Sequence, residues 1–141
     1  MGISLLILAV PSAATVAGEG GLTVHIDNLR NAKGVVHLCL TRDPARFPDC
    51  KGDPQALTTS FAAGPNKVAH FDRLAPGTYA IAAIHDENGN GKLDTLALVP
   101  REGFGFSKNP AIRFGPPKFR EAQFVIGAGT QEQRIKIRYL L

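Results

Sequence analysis

The segment HDENGNGKLD, residues 85–94, sets oxygen-bearing side chains at alternate positions: Asp86, Asn88 and Asn90, followed by Gly91 and then Asp94. Calcium takes roughly six to eight oxygen ligands, several of them carboxylate. An EF-hand-type loop supplies side chains at its first, third and fifth positions, a glycine at the sixth, a backbone carbonyl at the seventh and a polar group at the ninth. With Asp86 as the first, these are Asn88, Asn90, Gly91, the Lys92 carbonyl and Asp94. The twelfth position, where a bidentate glutamate belongs, is Ala97. The residues leading into the loop read as a strand, so this is EF-hand-like loop chemistry on another scaffold. Glu102, in PREGFGFS, is the nearest carboxylate that completes the set, and Gly103 and Gly105 let the backbone fold close. Asp86, Asp94 and Glu102 then oppose the two charges of the ion. A site of this kind belongs to the weak extracellular class, with a Kd of ~10⁻⁴–10⁻³ M. The competing reading is a plain polar turn, since Asn-Gly recurs here and is common hairpin chemistry. The phasing favours calcium.

The remaining chemistry is sparse. No G-x-S-x-G, H-E-x-x-H, Walker or dinucleotide fingerprint is present. His85 is expected to hold the loop from behind as a hydrogen-bond partner, or to act as general acid or base beside a metal. His25 and His37 would face each other across a hairpin centred on Asn31 and offer two ligands to zinc or copper. His70 is expected on the surface. The run GFGF, residues 103–106, is either a stacking platform for a ligand or two core phenylalanines, and core is favoured.

These residues need strands to position them. Apolar residues recur with a period of two: Leu22, Val24 and Ile26 in one segment, then Val36, Leu38 and Leu40 in the next. Residues 22–29 and 34–41 are expected to form a hairpin, and 56–63 with 67–74 another. Residues 78–84 are apolar on both faces, as in a central strand. Segments 120–126 and 133–140 complete about seven strands with no helix. The expected fold class is all-β: an antiparallel β-sandwich, immunoglobulin-like or prealbumin-like. In LAPGTY, Pro76-Gly77 predicts a type II turn, and Tyr79 a core ring whose hydroxyl returns to the backbone as in a tyrosine corner.

The segments LAPGTYAIA, HDENGNGKLD, PREGFGFS and GPPKF together resemble a family of small secreted bacterial proteins known only as domain-of-unknown-function family 2141. The resemblance covers roughly residues 22–140. It implies a secreted β-sandwich, and it marks Asp86, Asn88, Asn90, Asp94 and Glu102 as positions to test. It implies no activity.

Residues 1–17 contain no Asp, Glu, Lys or Arg, and the apolar run ISLLILAV is followed by Pro11 and small residues. This reads as a secretory signal peptide, too short for the ~20 residues of a membrane span. The expected organisation is residues 1–17 as signal peptide and 18–141 as one sandwich domain, periplasmic or secreted, with no transmembrane segment in the mature chain. In an oxidising compartment the chain's two cysteines, Cys39 and Cys50, are expected to pair. The net charge is +4, but Arg134, Lys136 and Arg138 alternate with Ile135 and Ile137 as one face of a strand. That pattern argues against nucleic-acid binding. The sequence therefore predicts a non-catalytic, calcium-stabilised module that binds an unknown protein or extracellular ligand through its loops. Two alternatives stand beside it: a metal-dependent hydrolase centred on His85, Asp86 and Glu102, and a metal-free structural envelope protein. Asp86→Ala is expected to abolish a calcium response while leaving the metal-free protein nearly unchanged.

Overall fold

A computed structural model describes residue 2 and residues 18–92, 95–96 and 99–141. Residues 1 and 3–17, most of the segment 1–17 expected as a signal peptide, lie outside the described residues, as do Asp94 and Ala97. The strands are β1 (Gly20–Asp27), β2 (Val35–Thr41), β3 (Leu57–Ala62), β4 (Val68–Leu74) and β5 (Gly77–Asp86), then a short ribbon of β6 (Thr95–Leu96) and β7 (Val99–Pro100). There follow β8 (Gly103–Phe106), one helical turn α1 (Phe119–Ala122), β9 (Phe124–Ile126) and β10 (Gly129–Lys136).

The protein is an all-β sandwich. One sheet has the order β10-β1-β4, the other β3-β2-β5-β8, with β9 pairing the start of β5. Among the described residues all pairings are antiparallel except β1 with β10, which is parallel. Side chains alternate across each strand, so one row from each sheet meets its counterpart. Leu22, Val24 and Ile26 of β1 pack with Val36, Leu38 and Leu40 of β2, Tyr79, Ile81 and Ala83 of β5, and Ile135 and Ile137.

Neither expected hairpin forms. β1 pairs β10 and β4, whereas β2 pairs β3 and β5, so residues 28–34 cross between sheets. Residues 63–67 do the same between β3 and β4. Period-two alternation records which side chains face the core, but it carries no information about which strand lies alongside. Residues 120–126, expected as one strand, divide into α1 and β9.

β5 is buried on both faces, as expected of a central strand. Its outward row, Ala80 and Ala82, joins Phe104 and Phe106 in a second apolar cluster roofed by Phe47, Phe119 and Ala122. This is why GFGF reads as it does. The phenylalanines fill the outer cluster, while β-carbons at Gly103 and Gly105 would collide with Ile137, Tyr139 and Ile135 on the inner side. Ser107 ties the roof to β5: its hydroxyl donates to the Ala122 carbonyl (2.6 Å) and accepts the Ile81 N–H (2.9 Å). Tyr79 forms the tyrosine corner, buried and donating to the Ala75 carbonyl at 2.7 Å. Gly77, at φ 158, is extended and opens β5 directly, in place of the φ near +80° that a type II turn requires.

Candidate functional site

β5 ends at the candidate loop, and its last two residues point in opposite directions. His85 lies on the sandwich side, completely buried. Its Nε2 donates to the Lys33 carbonyl (2.7 Å), and its Nδ1 accepts the Tyr139 hydroxyl proton (2.8 Å). The tyrosine oxygen in turn accepts the Arg30 N–H at 3.1 Å. Both imidazole nitrogens are therefore used in tying the 28–34 crossover and the C-terminal segment to β5. His85 thus holds the frame behind the loop.

Asp86 lies on the outer side and is also completely buried. One oxygen, Oδ1, accepts the Asn90 N–H (3.1 Å). The other, Oδ2, accepts the Gly91 N–H (2.7 Å) and the His37 Nε2–H (2.9 Å). Burial pushes the carboxyl pKa up, but the bonds from His37, Gly91 and Asn90 outweigh it and hold the group below its ordinary value. The side chain thus winds the chain around itself, taking N–H groups from the fifth and sixth positions counted from Asp86. The turns continue along the loop: Asn88 Oδ1 accepts the Asn90 N–H (3.2 Å), and Asn90 Oδ1 accepts the Lys92 N–H (3.1 Å). Gly89 and Gly91 sit at φ 69 and 80, where residues with a β-carbon are strained. Gly34 serves the site from the end of the 28–34 crossover, because a β-carbon there would overlap the Asp86 carbonyl oxygen.

The β5–β8 register pairs His85 with Gly103. One residue beyond that pair lie Asp86, the last of β5, and Glu102, just before β8, both buried. The strands therefore bring to one end of the sheet the two carboxylates that the sequence grouped. Asn88, Asn90 and Lys92 follow in the loop, and Asp94 lies outside the described residues. Among the described residues no three His, Cys, Asp or Glu side chains gather in a metal-holding arrangement.

Several members of this region were not legible in the sequence. His37 Nδ1 accepts the Ser60 hydroxyl proton at 2.7 Å while its Nε2–H meets Asp86, so the β2–β3–β5 register assembles a Ser60–His37–Asp86 relay. His25 belongs to the other sheet and contacts Glu132 at 3.4 Å, so no His25–His37 metal pair exists. His70 is exposed, as expected. Beside the loop, Glu87 accepts from Arg30 (Nε 2.8 Å, Nη2 2.5 Å) and from Asn31 Nδ2 (2.9 Å). Burial alone would raise the Glu87 pKa, but the Asn31 and Arg30 contacts lower it. Arg30 also donates to the Leu141 carbonyl (2.7 Å) and lies 4.4 Å from the centre of the Tyr139 ring.

At the opposite end of the sheet the expected disulfide is present. Cys39 of β2 is bonded to Cys50, with Cα atoms 6.3 Å apart. It pins the 42–54 loop beside Asp53, which accepts the Thr41 hydroxyl proton at 2.7 Å.

A model of a bacterially conserved, uncharacterised protein family, DUF2141, matches residues 24–134, and the chain belongs to that family. No curated protein and no solved structure matches it.

Proposed function

We propose that this family member is an exported, non-catalytic β-sandwich module whose 86–94 loop binds calcium, with a partner protein or extracellular ligand engaged through its loops. The observation that carries the reading is the winding of the loop about Asp86, whose carboxylate takes the backbone N–H groups of positions five and six. A carboxylate oxygen has two acceptor directions. Oδ2 fills both with Gly91 and His37, while Oδ1 takes one N–H and keeps one direction for a cation. Asp86, Asn88, Asn90, the Lys92 carbonyl, Asp94 and Glu102 are the proposed ligands. Export is supported by the uncharged apolar residues 3–10 and by the Cys39–Cys50 bond, which suits an oxidising compartment.

A hydrolytic centre of His85, Asp86 and Glu102 is not supported. His85 faces away from Asp86 and has both nitrogens occupied inside the protein, which leaves neither for a metal or a substrate. The metal-free reading draws support from the three donors that Asp86 already accepts from. Isothermal titration with calcium, in wild type and in Glu102→Gln, separates the two. The calcium reading predicts saturable binding weakened at least tenfold by the substitution. An absence of binding heat at millimolar calcium would leave the metal-free module.

A further inference from the structure

The edges of the two sheets are protected unequally. Proteins blunt exposed edge strands with charges, kinks, short length or a covering segment. β4 carries Asp72 and Arg73, and Arg73 is kinked at φ 55. β10 carries Glu132, Arg134 and Lys136. β8 is covered, since Phe104 and Arg138 exchange backbone hydrogen bonds (3.1 and 2.8 Å). β9 is only three residues long. β3, LTTSFA, has no charge, no proline and no positive φ, and among the described residues it pairs only with β2.

The phase of the β2–β3 ladder shows what this edge offers. The Ala63 N–H bonds the Gly34 carbonyl at 3.0 Å, so residues 57, 59 and 61 direct their backbone groups to β2. Thr58, Ser60 and Ala62 then turn theirs outward. The inward-facing side chains are incompletely covered: Leu57 is 44% exposed, and Thr59 and Phe61 are half-buried.

We propose that β3 is a self-association edge, where two copies pair antiparallel about a two-fold axis through Thr59. In this register Thr58 of one copy exchanges backbone bonds with Ser60 of the other. Thr59 faces its own copy, and Leu57 faces Phe61 twice over, which covers the exposed apolar row. Thr–Thr and aromatic–aliphatic pairs are favourable directly across a ladder, and like charges are not. The lack of charge on β3 is what permits a strand to meet itself, and the result is an isologous contact that closes as a dimer. A strand from a different protein could use the same edge, but the repeat of Leu57 against Phe61 arises only with a second copy.

Sedimentation equilibrium of the purified protein from micromolar to several hundred micromolar tests this. Wild type is expected to pass from monomer to dimer. Thr59→Lys and Thr59→Glu, each confirmed as folded by circular dichroism, should each stay monomeric, and an equimolar mixture should recover the dimer. A wild type that is monomeric throughout, or a dimer that Thr59→Lys leaves intact, would overturn the proposal.

Discussion

Two polar loops leave opposite ends of the same sheet, and they are held by different means. The 42–54 loop follows β2 and is fastened covalently by Cys39–Cys50, with the Asp53 carboxylate accepting from Thr41. The 86–94 loop follows β5 and is wound about the carboxylate of Asp86, buried where Asp53 is not. A covalent staple acts mainly on the unfolded chain. A buried carboxylate must instead satisfy the backbone around it, and in doing so it shapes a cradle of oxygens. On the proposed calcium reading, a cation would tune the second arrangement and not the first.

The largest expected effect is at Asp86. Alanine there leaves the Asn90 and Gly91 N–H groups and His37 without their acceptor, and about 3–5 kcal/mol should be lost even without calcium. This revises the expectation that the metal-free protein would be nearly unchanged. Urea unfolding in chelator measures it, and a loss below about 1 kcal/mol would mean the loop is held by other groups.

At the other end, Cys39→Ser should cost roughly 3 kcal/mol in oxidising buffer, because the bond closes a short loop. Under reductant the variant and wild type should melt together. A gap that persists would assign the loss to packing instead of the cross-link.

Acid should act on both loops, since the Asp53 carboxyl is also held below its ordinary value, chiefly by the Thr41 hydroxyl, so the Asp86 share is read by substitution. The folded pKa of Asp86 lies below its ordinary 3.8, so its contribution is complete above that value and disappears as pH falls through the folded pKa. Asp86→Asn should therefore flatten the acid limb of stability against pH, with little change in its shape near neutrality. An acid limb identical to wild type would place the responsible carboxylate elsewhere.

The smallest effect is at the tyrosine corner. Tyr79→Phe removes one buried hydroxyl bond to Ala75 and should cost about 1 kcal/mol, leaving both loops untouched. Calcium affinity altered by this variant would show that the two ends of the sheet are coupled.

The strands themselves were legible because Leu22, Val24, Ile26 and their counterparts alternate, and alternation is a local property. Neighbour choice was not legible: nothing in residues 28–34 distinguishes a hairpin from a crossover to the other sheet. That gap also concealed the site's partners. Asp86 stood out through its spacing to Asn88, Asn90 and Gly91, all within one loop. His37 and Ser60 reach it only through the β2–β3–β5 register, and Gly34 only through close backbone approach. The single available clue was that His37 and Ser60 both occupy outward positions of their strands. Opposite directions for His85 and Asp86 also follow from strand alternation, once β5 is known to run through both.

The central claim is that the loop wound around Asp86 is a calcium loop. Thermal melts of the purified protein in chelator and across a calcium titration, with magnesium as control, test it most directly. At a hundredfold excess over Kd, one native-state site should add ~2.7 kcal/mol, a rise of several degrees that saturates and is selective for calcium. No rise up to ~100 mM calcium, a hundredfold over the weakest Kd of this class, would contradict the account and leave Asp86 as the anchor of a metal-free turn.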